Sequence, residues 1–131
     1  MRIVEVESSY KAINVPGLLE REAVVLIDDE WVRDEKYYFQ IEEIYTYYLN
    51  FLAQNNFFVS REKVLGNDVK EAVVTRGDLT DDGWSFWLFS NTKWLNYYDR
   101  NRDKPRFNAQ KKLEDLLKKW RESQQIESSS K

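Results

Sequence analysis

A chain of 131 residues with neither cysteine nor histidine is long enough to build one hydrophobic core. Its inventory excludes disulfides, thiol chemistry, Ser/His/Asp and Cys/His nucleophile systems and the common zinc sites. Charged residues at 33% and aromatics at 15% exclude a disordered polymer and fit a globular domain with a charged surface.

The net charge of −3 conceals an asymmetry, because residues 1–56 hold 11 acids and 5 bases, a charge of −6, whereas residues 57–131 hold 12 acids and 15 bases, a charge of +3. Such a division can orient a charged partner. No apolar stretch approaches bilayer-spanning length. The start of the chain lacks the basic, apolar and small-residue order of a secretory signal. The expectation is a soluble cytoplasmic protein with no membrane partner.

In chain order, Ile3 to Glu7 alternate apolar and charged residues as a short strand does. Pro16 and Gly17 mark a turn. The stretch from Leu18 to Trp31 reads as a helix or, through Ala23 to Ile27, as a buried strand, with helix preferred. Asp28, Asp29, Glu30, Asp34 and Glu35 form an acidic connection leading into the next helix. From Lys36 onward, Ile41, Ile44, Tyr45, Tyr48, Phe51 and Leu52 share a helical face that ends at Asn55 and Asn56, residues suited to a left-handed cap. Phe57 to Leu65 and Val69 to Thr75, separated by Gly66, Asn67 and Asp68, read as a hairpin.

Thr80, Asp81, Asp82 and Gly83 then open a central helix. Its apolar residues Trp84, Trp87, Leu88, Trp94, Leu95 and Tyr98 fall on one face, and Phe86, Phe89 and Tyr97 on another. Pro105 marks a loop, after which Asn108 caps a helix that buries Leu113, Leu116, Leu117 and Trp120. Residues 1–122 are expected to form a single globular domain, and residues 123–131 a disordered tail. The fold class is α+β: a mainly helical single domain, about four helices with one β-hairpin before the central helix.

The carboxylate pairs Asp28/Asp29 and Asp81/Asp82 sit where helix starts collect negative charge, so capping explains them better than magnesium binding or acid/base chemistry. Asp68, Val69 and Lys70 form an acid-x-lysine triplet without an acidic partner before it. No glycine-rich phosphate loop is present. Neither a metal site, a cofactor nor catalytic residues are expected. Arg100, Arg102, Lys104 and Arg106 are able to hold phosphates, which leaves nucleic acid as the alternative partner.

Two stretches carry family resemblances. FLAQNNFF, VSREKVLGNDVKEAVVTR and DLTDDG, within residues 36–90, resemble the second half of a winged-helix domain. That resemblance implies a DNA-binding regulator with Arg61, Lys63 and Lys70 against phosphates. The helix before the hairpin, basic or polar in that family, here carries Glu35, Glu42 and Glu43, with Lys36 as its base. DLTDDG followed by KWLNYYDR, with Asp78, Leu79, Thr80, Gly83, Lys93, Trp94, Asp99 and Arg100, is similar to small bacterial immunity-type proteins. This implies a cytoplasmic protein that neutralises a cognate toxin.

The reading that joins these observations is a non-catalytic immunity-like or antitoxin-like inhibitor of a partner protein, with a basic toxin domain as the fitting partner. The expected binding surface is Asp28, Asp29, Glu30, Trp31, Asp34, Glu35, Tyr38, Glu42 and Tyr47. Acids there would steer docking, and aromatics would hold the complex.

Overall fold

The computed structural model describes the backbone of residues 6–60, 62 and 68–129, and the side chains of these up to residue 125. Among the described residues the chain forms a mainly helical α+β fold: strand β1 (Lys11–Asn14), helix α1 (Val15–Glu22), strands β2 (Val24–Ile27) and β3 (Glu30–Arg33), helix α2 (Glu35–Gln54), strand β4 (Val73–Thr75), and helices α3 (Asp81–Asn101) and α4 (Ala109–Ser129). Single 3-10 turns, Val69–Glu71 and Arg76–Asp78, flank β4.

Each long helix begins on a side-chain cap. Asp34 Oδ1 accepts from the Tyr37 amide at 3.2 Å, Thr80 Oγ1 from that of Gly83 at 2.9 Å, and Asn108 Oδ1 from that of Lys111 at 3.0 Å, satisfying donors that a helix start leaves free. Helix α2 ends as its sequence predicts. Asn56 takes the left-handed conformation at φ 60°. The amides of Asn56 and Phe57 return to the carbonyls of Ala53 and Leu52 at 3.2 and 3.0 Å, the crossed pair that closes a helix C-terminus.

The strands differ from the sequence-based expectation. The hairpin is β2–β3: the helix stops at Glu22, Val24–Ile27 takes the strand alternative to the preferred helix, and it pairs antiparallel with Glu30–Arg33, which lies mostly in the expected acidic connection. The partner of Val73–Thr75 is Lys11–Asn14, far back in the chain, and Phe58 bridges to Leu79 instead of pairing across residues 66–68. Residues 61 and 63–67 of the expected hairpin, and residues 1–5 of the expected first strand, lie outside the described residues. The last helix runs on to Ser129 where a disordered tail was expected; the QQIESS stretch contains neither proline nor glycine to stop it.

Two aromatic clusters, together with Trp84 stacked on Trp87 and edge-on to Tyr10, hold much of the aromatic content. At one end of the core, Phe86 meets Phe57 at 5.2 Å, Trp120 at 5.9 Å and Phe51 at 6.0 Å between ring centroids. At the other, Trp94, Tyr97, Tyr98 and Phe107 gather with Tyr47. The buried residues of α3 are Gly83, Trp84, Ser85, Phe86, Ser90, Trp94 and Tyr98, the last four at four-residue spacing, and Trp84, Trp94 and Tyr98 are buried as expected. Leu88, expected in the core, is exposed, and Trp87 and Ile44 are only partly buried.

Candidate protein-binding surface

The element that departs most from ordinary packing is the β2–β3 hairpin. Its strands, VVLI and EWVR, are joined by Asp28 and Asp29, both in the left-handed region at φ 51° and 65°. Positive φ at both central residues matches a two-residue loop to the twist of its strands. The register sets Ile27 opposite Glu30, Leu26 opposite Trp31, Val25 opposite Val32 and Val24 opposite Arg33. Because side chains alternate between faces, Leu26 and Trp31 share one face and Val25, Ile27 and Val32 the other.

Neither face is covered. Leu26 is 52% exposed, Ile27 53% and Trp31 71%, with Val25 and Val32 also exposed. The base of the hairpin is fixed by buried Ala23, whose carbonyl accepts from the Asp34 amide at 2.9 Å. A two-stranded ribbon is marginal by itself in water, and a contiguous apolar projection of this kind marks an interaction surface. Asp28, Asp29 and Glu30 give it an acidic tip.

The structure divides the expected binding residues. Asp28, Asp29, Glu30 and Trp31 come together at the outer end of the hairpin. Asp34 is the N-cap of α2, and Glu35 lies 3.8 Å from the Arg33 guanidinium, which in turn sits 4.4 Å from the Tyr38 ring centre. Glu42 faces Lys70 at 4.0 Å. Tyr47 is apart from all of these: it follows Tyr38 by nine positions, about 13 Å along the helix and about half a turn around it. Its ring packs edge-on to Trp94 and Phe107, each at 6.3 Å, so it belongs to the aromatic core margin.

Val25, Leu26 and Ile27, in a run read as helical or buried, and Val32, in the expected acidic connection, are surface residues that sequence reasoning missed. The available signal was the two-residue spacing between a β-branched run and EWVR. Phe39, exposed on α2 near the hairpin in sequence, was also missed.

The residues that carry the immunity-type resemblance have structural roles in most cases. Asp78 Oδ2 accepts from the Thr75 amide and hydroxyl, both at 3.0 Å, Thr80 caps α3, and Trp94 is fully buried. Of the bases that a winged-helix reading sets against phosphates, Arg61 and Lys63 lie outside the described residues, and Lys70 faces Glu42. Among the described residues there is no group of three or more carboxylates placed to hold a metal ion, and no helix long and apolar enough to cross a membrane. Comparison with protein-family models, curated proteins and solved structures gives no match to this chain.

Proposed function

We propose that this chain is a non-catalytic protein-binding domain that inhibits a partner in the manner of immunity or antitoxin proteins, with the β2–β3 hairpin as its docking element. The observation that supports it is the uncovered Leu26, Ile27 and Trp31 beside the Asp28, Asp29 and Glu30 tip. Burying a large apolar side chain contributes about 1.5–3 kcal/mol, so an uncovered trio is a reservoir of association energy. The adjoining acids select a partner with an apolar cleft edged by lysine or arginine, as on a toxin that binds an anionic substrate. The cytoplasm is the compartment proposed with this role.

The test is kinetic. With a partner captured from the source organism and immobilised for surface plasmon resonance, Trp31→Ala and Leu26→Ala are expected to accelerate dissociation. Charge reversal at Asp28, Asp29 and Glu30 is expected to slow association and flatten its salt dependence. Wild-type kinetics in both sets of variants would remove the hairpin from the interface, and a partner whose activity is unaffected by binding would remove the inhibitory role. Tyr47→Ala should act on stability instead of binding, because its ring is part of the aromatic cluster.

A further inference from the structure

A second feature lies outside the hairpin strands and is independent of the reading above. Between α1, α2 and α3 the surface opens into a cleft of about 450 Å³, lined by Glu22, Tyr37, Tyr45, Tyr98 and Asp99 among others. Its volume falls in the range of about 300–1,000 Å³ typical of small-molecule sites. We propose that this cleft binds a small organic ammonium ion.

The lining combines the two features that recognise such an ion. The exposed ring of Tyr37 can attract a cation through its π-system, as in cages that hold alkylated ammonium groups, and the buried rings of Tyr45 and Tyr98 complete the aromatic lining. Two carboxylates supply the opposite charge, and no lysine or arginine lines the cleft to neutralise them. Among the described residues, no base is within ion-pair distance of Glu22 or Asp99. Ile41 and Leu95 add apolar wall for the alkyl part of the ion.

The local field agrees with this composition. Tyr37 donates a long hydrogen bond to Glu22 Oε2 at 3.4 Å, and its pKa is raised by burial and by the charges of Glu22 and Asp99. That of Tyr45 is pushed up to about 12 by burial, Glu22 and Tyr37. The part of these shifts owed to the charges of Glu22 and Asp99 favours a positive charge nearby, whereas the larger part, owed to burial, opposes charge of either sign. Tyr98 already engages a cation, since its hydroxyl accepts from Arg102 Nε at 2.8 Å and the guanidinium lies 5.9 Å from its ring centre, with Arg102 itself facing Asp103.

The ammonium group can arrive on a free amine or on a lysine side chain presented by a protein, and the experiment separates the two. Isotope-labelled full-length chain is titrated with tetramethylammonium chloride, 1,4-diaminobutane and N-acetyl-lysine methylamide, with sodium chloride at matched ionic strength as reference. Saturable shifts centred on Tyr37, Tyr45 and Tyr98 are expected, with a Kd on the order of a millimolar for contacts that remain partly solvated. Saturation by either of the first two probes assigns the cleft to a free amine; saturation by the lysine derivative alone assigns it to a protein side chain. The exposed pair Glu22→Gln and Asp99→Asn, checked for a native spectrum, should weaken binding at least tenfold. Shifts that follow sodium chloride for all three probes, or equal affinity in the natively folded double variant, would overturn the proposal. The wild-type titration decides the question alone if that variant does not fold.

Discussion

The hydroxyl of Tyr48 on α2 and that of Ser90 on α3 form a 2.7 Å hydrogen bond in the core, both side chains being fully buried. Each satisfies the other where water cannot. Ser90→Ala would leave the tyrosine hydroxyl without a partner, at a cost of about 1–3 kcal/mol. Once Ser90 is gone, Tyr48→Phe should cost little more. A double-mutant cycle by urea denaturation is expected to give a coupling of about 1 kcal/mol, and strictly additive effects would show that the bond contributes nothing.

Buried tyrosines make the fold sensitive to alkali. Burial, aided by Glu22 and Tyr37, raises Tyr45 from 10.0 to about 12, and burial raises Tyr48 further, with the Ser90 hydrogen bond opposing. The folded chain therefore keeps protons that the unfolded chain releases above pH 10. Their contribution is complete below that pH and is lost as pH rises towards 12, at up to about 1.4 kcal/mol per pH unit for each tyrosine. Denaturant titrations from pH 8 to 12 should show this decline, and Tyr45→Phe should make it shallower.

Gly83 reverses the usual rule for helices. In an open helix, replacing glycine by alanine stabilises by about 1 kcal/mol. A Cβ at position 83, however, would lie 2.3 Å from the Phe57 carbonyl oxygen. That oxygen already accepts from the Thr80 amide at 2.9 Å and the Thr80 hydroxyl at 3.3 Å, so it is not free to withdraw. Gly83→Ala should destabilise by about 1–3 kcal/mol in thermal or denaturant melts; a gain in stability would show that the contact relaxes without cost.

The hairpin turn can be tightened without touching its apolar faces. Asp28 and Asp29 occupy backbone conformations that asparagine and glycine adopt more readily. Asp28→Asn with Asp29→Gly is expected to stabilise the ribbon by about 0.5–1 kcal/mol, read as slower amide exchange at the Leu26 and Trp31 pair. Unchanged exchange would mean that the turn does not limit the stability of the hairpin.

Helix limits were legible where a side chain caps them: Thr80, Asn108 and the Asn55–Asn56 end all occur as the sequence implies. The buried face of α3 was legible only in part, at Trp84, Trp94 and Tyr98, and the reason is two serines. Ser90 sits in line with Phe86, Trp94 and Tyr98, and Ser85 accepts from the Trp120 indole at 3.0 Å. A scan for apolar periodicity passes over both and drifts towards Trp87 and Leu88. The hairpin failed for a related reason: an apolar run ordinarily means burial, and Val24 to Ile27 is apolar yet mostly uncovered. The strand partner of Val73–Thr75 was beyond local pattern altogether, because pairing across the chain leaves no signal in either segment alone.

That last pairing has a consequence in time. Joining Lys11–Asn14 to Val73–Thr75 closes a loop of about 60 residues, for which the entropy of closure is about 3–4 kcal/mol. Helices α1 and α2 and the hairpin lie inside the loop and depend largely on near neighbours, so they can form on the microsecond scale. Strand β1 cannot, because its partner has not been made. At a synthesis rate of about 5–20 residues per second, the nascent chain waits roughly three to twelve seconds with this edge open. During translation the most N-terminal described strand is therefore among the later elements to find its place, and the interval before residue 75 emerges is when an unpaired Ile13 is available to the wrong neighbour.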